Sequence, residues 1–453
     1  MKKFFSLLLV CSILLSSFVI VFSNVNTVAS ASSNKYPEGT IEIYGYGQPQ
    51  YFLKYYRPWL ERNRDIAPKV SIDIVQTEGA ADVREKLTMS YVAGAYDDLP
   101  DAFYIDPVNL VNLADGGLVQ DVTDFVSSLT DKLVDNAAND ATINGSIYAL
   151  PESVRPQMLY YNQKIFNEYN IDPERMNTIE GYIEVGRELK EKSNGKVYLS
   201  YIDPGSRTWR YYGRRGLMPQ AKAKIWDDNG YPIIDTDPGA RLAFEALDTM
   251  YSEGLLLKTA IFQPALYDAV NNGEIATFYI GAFWDEFLRK NCTETLGDWR
   301  VMPAPVFKSI NLRGAPVSQY IAIVDKPNAV YSGLIKKMWY DFTFDIEHKE
   351  KWVRSMVRLD APYANPISVE MLKDEFWEEP SIFYGGQSFR KMEKIALRNG
   401  APNLVVTAQD AEADIIISNE LEKYVAGVQT IDEAIKAMGE NLRNKIGKVE
   451  VIK

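Results

Sequence analysis

The chain has 453 residues, 46% of them hydrophobic, with 49 lysines and arginines against 61 aspartates and glutamates. That length predicts two or three domain-sized units with ample core, and the acidic balance argues against nucleic acid and anionic lipid surfaces as partners. One histidine and two cysteines leave almost no material for zinc clusters or for Ser-His and Cys-His nucleophile systems, so neither a metal nor a cofactor is expected.

The N-terminal stretch, basic Met1-Lys2-Lys3, apolar Phe4 to Phe22 and then Ala29-Ser30-Ala31, has the pattern of a secretory signal peptide over residues 1–31. Cleavage is expected after Ala31, and an uncleaved signal anchor is the alternative, because the apolar run is nearly long enough to span a bilayer. Cys11 lies inside that run with no small residue before it and reads as filler rather than a lipid-attachment site. Loss of residues 1–31 removes Lys2 and Lys3, leaving 47 basic residues against 61 acidic, a net charge of −14. Only Cys292 then remains, so no intramolecular disulfide can form. A secreted monomer is expected.

Thr40 to Gly47 alternates and ends in glycines, as a strand running into a loop does. A helix over Tyr55–Asn63, a strand over Lys69–Gln76, a helix over Ala81–Ala93, a short strand over Asp101–Asp106 and a helix over Val108–Asp115 follow. This β-α-β-α-β rhythm predicts a parallel sheet flanked by helices. Ligands of such sheets sit beyond the carboxyl ends of the strands, which places Gln48, Glu78 and Asp106 near one rim. A second αβ unit starts near Ser153, with a strand over Gln157–Asn162 and helices over Lys164–Tyr169 and Ile179–Lys192. Asp227-Asp228-Asn229-Gly230 reads as a hairpin turn, since its acid spacing does not fit a calcium loop. Asp237 caps a helix with Pro238 in its first position, running to about Ser252. Ile275–Ile280, Trp299–Met302 and Gln319–Val324 read as strands, and Gly281 to Asp285 turns into a helix. His348, among charged neighbours, reads as a surface residue. Thr430 with Glu433 marks the capping box of a last amphipathic helix ending near Lys445.

Asn144 to Pro151, with Leu159-Tyr160-Tyr161-Asn162 and Ile165-Phe166, resembles the signature stretch of extracellular solute-binding proteins, in the sugar-binding family that includes maltose-binding protein. Leu87–Gly94 with Leu99–Asp106, Leu113–Asp121, Gly273–Trp284 and Gly297–Pro305 are similar to further family elements and fall in the same order. Residues 372–409 match least and are where divergent ligand contacts are expected. The resemblance implies an α/β, two-lobed periplasmic-binding-protein-like fold of type II, each lobe a mixed, mostly parallel sheet flanked by helices. Lobe 1 would hold residues 32–152 with 305–343 and lobe 2 residues 153–304 with 344–453. Crossovers are expected near Pro151–Gln157, Met302–Phe307 and Met338–Asp345. It also implies a non-enzymatic protein that traps a solute by hinge closure and hands it to the permease subunits of an ABC importer.

Sugar rings lie flat on aromatic plates while their hydroxyls take hydrogen bonds, and the chain holds 28 tyrosines. An oligosaccharide is therefore the expected ligand. By the resemblance Trp284 stacks on it, the alternative being a core residue at a helix start. Asp106 and Glu78 would accept sugar hydroxyls or else cap helices, and Gln48 and Tyr46, around Gly45 and Gly47, are further candidates. In Arg207–Arg215 four arginines stand among aromatics (Arg207, Arg210, Arg214 and Arg215). Either this is a solvated loop salt-bridged to the acidic surface, or Trp209 stacks while Arg207 or Arg210, with Arg155 from the crossover, grips a carboxylate such as a uronic acid. A secreted glycoside hydrolase, whose minimum is two carboxylates about 5–10 Å apart, and a binding protein for a non-sugar ligand or a sensor are the rival readings.

Overall fold

The computed structural model describes residues 36–47, 50–345, 351, 367–373 and 375–451. Residues 1–31, Gln48 and His348, all of which carried expectations, lie outside the described residues. The chain divides into two compact units, residues 1–41 with 50–73 and residues 42–49 with 74–453. In the smaller unit, helix α1 (Gln50–Arg62) buries Tyr55, Tyr56, Trp59 and Leu60, a spacing that puts them on one helical face. Strands β1 (Gly39–Gly45) and β2 (Val70–Gln76) begin there and end in the larger unit.

The strands form two main sheets. The first has the order β2-β1-β3-β8-β4, where β3 is Ala102–Ile105, β4 Leu150–Arg155 and β8 Val317–Ile323. β1 and β3 run parallel, with Ile43 opposite Ala102, as the β-α-β rhythm predicts. Helix α2 (Ala80–Val92) connects β2 to β3, and α3 (Pro107–Asp115) follows β3. β8 arrives from far along the chain and lies antiparallel to both β3 and β4, with an irregularity at Gln319/Tyr320. The core on this side includes Val83, Leu87, Phe103, Ile105, Leu110, Tyr320 and Ala322.

The second sheet has the order β6-β5-β7, where β5 is Gln157–Asn162, β6 Thr277–Gly281 and β7 Trp299–Pro303. Both pairings are antiparallel, with Tyr160 facing Phe278 on one side and Val301 on the other. The first sheet is mixed, as expected, but the second is antiparallel throughout, so neither is the mostly parallel sheet expected. The reason is that β5 is a central strand whose neighbours come from more than a hundred residues later in the chain, not from the next αβ unit. The short pair Ser200–Ile202 with Leu256–Lys258 adds parallel pairing on this side, with isolated parallel bridges at Thr178/Val306 and Tyr198/Ile275.

Helices α4 (Gln163–Glu168), α5 (Ile179–Lys192), α6 (Pro238–Ser252) and α7 (Trp284–Asn291) occur where the periodicity places them. Asp237 caps α6 by accepting from the Ala240 N–H at 2.8 Å. The 227–230 segment is a tight turn: the Asp227 carboxylate accepts from the Asn229 and Tyr231 N–H groups, and Gly230 has φ +84°. The carboxylate is spent on its own turn.

The chain passes from the first sheet to the second between Arg155 and Gln157, and back between Pro303 and Val317. Helix α8 (Ser332–Phe344) stays with the first sheet, its Trp339 indole donating to the Pro151 carbonyl at 2.7 Å. The Val369 N–H still bonds Lys132, whereas the Phe383 carbonyl accepts from Gly297 on the second side. Helices α9 (Phe389–Ala396), α10 (Asp410–Val425) and α11 (Ile431–Lys445) complete the chain, α11 opening with the expected capping box. Among the described residues no helix is long and apolar enough to cross a membrane.

Candidate functional site

Asp106 directly follows β3, where an open α/β sheet presents its ligand. Its Oδ1 accepts from the Asn109 N–H at 3.1 Å and the Asn109 amide at 2.8 Å, capping α3 with Pro107 in the first turn. Its Oδ2 faces Arg215 at 3.5 Å. One carboxylate thus caps the helix with one oxygen and turns the other toward a cavity. Burial disfavours its charged form, but Arg215, Arg210 and the Asn109 hydrogen bonds outweigh that and hold it below the usual carboxylate range.

The cavity beyond Asp106 is narrow, about 50 Å³. Its opposite wall is the segment the sequence singled out. Trp209–Leu217 is not a solvated loop but a single π-helix, with Trp209, Tyr211, Tyr212 and Arg214 buried. The wide turn brings the Gly213 Cα onto the Trp209 ring, where a Cβ would lie 2.4 Å from Trp209 Cε3. Only glycine fits there, and π-helical turns of this kind collect at functional sites.

Behind this wall a buried ionic network ties it to α10. Arg214 binds Asp414 at 2.7 Å and also pairs with Asp410. The Trp209 indole donates to Asp414 at 2.6 Å and the Trp226 indole to Asp410 at 2.8 Å. Thr407 donates to Asp410 through both its N–H and its hydroxyl. Burial pushes the Asp414 carboxyl up, with Arg214 pulling against it. With Arg214 anchored, its neighbours at 210 and 215 project to the cavity. The floor is Pro316 to Ser318, at the start of β8, and the third wall is Asn403, Leu404 and Val406.

The sequence candidates fall in different places. Asp106 and Arg210 line the cavity. Tyr46 sits close to it: its ring meets Tyr104 edge-on at 6.4 Å, and burial, with the Asp106 charge adding, pushes its phenol up. Trp209 is buried in the wall, stacked on Phe244 at 6.4 Å. Trp284 is fully buried at the start of α7, stacked on Phe287 at 5.8 Å and Tyr267 at 6.2 Å. Glu78 is exposed and its N–H donates to Asp82. Arg155 ends β4 outside the cavity lining, among the charges of Glu286 and Glu393. Arg207 donates to the Ile261 carbonyl at 2.8 Å and lies over Phe262. Arg215, Ser318 and Asn403 were missed. The single sequence signal for Asn403 was that it falls within the stretch least like the family, and Ser318 gave none.

The bacterial extracellular solute-binding protein family matches residues 49–328, more than half of the chain. This chain belongs to that family. Two arabinooligosaccharide-binding proteins are similar to it. One, from Halalkalibacterium halodurans, is 26% identical over 43% of this chain and 43% of its own length. The other, from Bacillus subtilis, is 22% identical over 72% and 73%. Among solved structures, an ABC-transporter-associated binding protein from B. animalis subsp. lactis, in complex with beta-1,6-galactobiose, superposes with a TM-score of 0.73. It has 18% identity and covers 90% of this chain and 97% of its own. An ABC substrate-binding protein from Listeria monocytogenes, in complex with cycloalternan, gives 0.70 at 16% identity over 91% and 100%. The solute-binding protein has the fold of these proteins, the type II periplasmic-binding-protein fold the sequence led us to expect.

Proposed function

We propose that this solute-binding protein captures a neutral oligosaccharide in the cavity between Asp106 and the π-helix and hands it unchanged to an ABC importer. The observation that carries the neutral ligand is the charge balance. The guanidiniums of Arg210, Arg214 and Arg215 are matched by the carboxylates of Asp106, Asp410 and Asp414. Arg207, Arg214 and Arg215 each have a partner within the protein, and Arg210 lies in the field of Asp106 and Asp414, so an added carboxylate would enter a site whose positive charge is already balanced. A neutral sugar brings no such charge, and its hydroxyls take hydrogen bonds from guanidiniums and give them to carboxylates. The two arabinooligosaccharide-binding relatives support a pentose oligomer as the first ligand to try.

A cavity of about 50 Å³ is far below the roughly 300 Å³ that a small ligand site requires. Asp106 and Arg215 must therefore part for a sugar to enter, as hinge opening along the stretches 155–157 and 303–317 would allow. Asp106, Arg210, Arg215 and Tyr46 are the contacts we assign to the ligand, with Trp209 and Trp284 forming aromatic support behind the walls. Titration calorimetry of the secreted chain against α-1,5-linked arabinotriose and trigalacturonate tests the ligand class, with tight binding expected for the neutral trimer alone. Binding restricted to the uronate would overturn the reading. So would release of new reducing ends from labelled arabino-oligosaccharides, which would make the protein a hydrolase.

A further inference from the structure

A carboxylate that does not itself line the cavity organises two residues that do. Asp140 stands in the short helical turn Asn139–Ala141 before the first crossover. Its Oδ2 accepts from the Ser318 hydroxyl at 2.8 Å and from the Asn403 amide at 2.7 Å. Ser318 belongs to β8 and Asn403 to the stretch ahead of α10, so one oxygen joins segments 178 and 263 residues away. Both partners line the cavity. Burial pushes the Asp140 carboxyl up while these two hydrogen bonds work to keep it charged. The neighbouring titratable group is Tyr320, whose hydroxyl donates to the Ala137 carbonyl at 3.1 Å and whose own ionisation burial suppresses.

An ionised carboxylate only accepts. The orientation of the Asn403 amide, ordinarily a matter of assignment, is thereby fixed: the NH₂ must face Asp140, which turns the carbonyl oxygen away from it as the side chain's acceptor. Ser318 has one hydroxyl proton and gives it to Asp140, leaving lone pairs only. The opposite wall carries the guanidiniums of Arg210 and Arg215, which only donate.

We propose that Asp140 is a positioning residue that sets the polarity of the binding cavity, fixing Asn403 and Ser318 as acceptors on one side against the arginine donors on the other. A sugar hydroxyl, with one proton to give and lone pairs to receive, bridges two such walls; a ligand with acceptors alone does not. This rests on the oligosaccharide reading, which it deepens by naming what selects hydroxyl-rich ligands.

The test uses the full secreted chain, with arabinotriose as the probe. D140N replaces one acceptor-only oxygen by a donor and should weaken binding ~10-fold or more, the loss expected for a charge-assisted hydrogen bond at a ligand contact. N403A should weaken it comparably. If Asp140 acts through Asn403, D140N/N403A binds within ~2-fold of the weaker single variant, as coupling in a double-mutant cycle requires. N403Q, which keeps the amide but moves its oxygen, should lose affinity with an unchanged urea midpoint, separating positioning from folding. A ligand-independent arm follows the Asn403 side-chain NH₂ resonances, identified by their loss in N403A. D140N should shift them and speed their exchange with water. Losses that multiply in the double variant, wild-type affinity in D140N, or an amide signal indifferent to D140N would each overturn the proposal. Should the wild type bind no oligosaccharide, the ligand class fails, and the amide signal still decides whether Asp140 holds Asn403.

Discussion

Arg214→Met is the substitution most diagnostic of how the π-helix is held. The Arg214 side chain is 8% exposed, between Asp410 at 0% and Asp414 at 25%. Methionine fills much of the same volume but leaves two carboxylates in a site built around a cation. Their other donors, the indoles of Trp209 and Trp226 and the Thr407 groups, remain, so hydrogen bonding survives while the countercharge does not. Breaking a buried pair in this way costs about 3–5 kcal/mol, a fall of about two to four decades in the folding constant at about 1.36 kcal/mol per decade. Urea unfolding followed by far-UV circular dichroism at pH 7.5 reads it directly. The pH dependence gives a second, signed expectation. Burial already raises the Asp414 carboxyl against the pull of Arg214, and without the guanidinium it rises further. A folded pKa above the unfolded value means that the folded variant binds more protons, so its stability recovers as pH falls. The gap between wild type and variant should therefore narrow from pH 7.5 to pH 5. The triple variant R214M/D410N/D414N, which removes charge altogether, should be more stable than R214M alone. An R214M protein within about 1 kcal/mol of wild type, or a gap that widens in acid, would refute the idea that this network secures the wall.

Gly213→Ala should lower the urea midpoint by an amount equivalent to about 1–3 kcal/mol, because its Cβ would lie 2.4 Å from Trp209 Cε3; an unchanged midpoint would mean the ring yields freely. Glu393, buried in α9, has its carboxyl pushed up to about 8 by burial, with Asp285 adding and Arg390 and Arg155 opposing. Its contribution to stability is thus complete below the unfolded value, near 4.3, and lost as pH rises toward 8, so E393Q should flatten the fall in stability between pH 5 and pH 8. Burial raises the Cys292 thiol to about 12, so Ellman's reagent should label it only after unfolding; rapid labelling of the native protein would contradict its burial. Thr430→Ala removes the α11 capping box, in which Thr430 accepts from Glu433 N–H and Glu433 from Thr430 N–H. The expected loss is ~1 kcal/mol, measured as a shift of the urea midpoint.

Local chemistry explains which features the sequence determined by itself. Alternation and helical spacing located β1, β3, β5 and β6 and helices α2 to α7, because side-chain periodicity is a property of the segment alone. The Asp237 and Thr430 caps and the Asp227 turn were equally legible, each being a side chain bonded to backbone within four residues. Asp106 could be placed at the rim from its position after β3; its capping role is met through one oxygen, and the other faces the cavity. What tertiary structure alone decided was partnership over distance. Arg214 meets its counter-charges only through α10, some two hundred residues later, which supplies Asp410 and Asp414. Likewise Asp140, Ser318 and Asn403 share no local pattern and meet because β8 and the stretch before α10 return to the same corner. A charge's role depends on the dielectric and the counter-charges around it, and those are set by which distant segments fold against it.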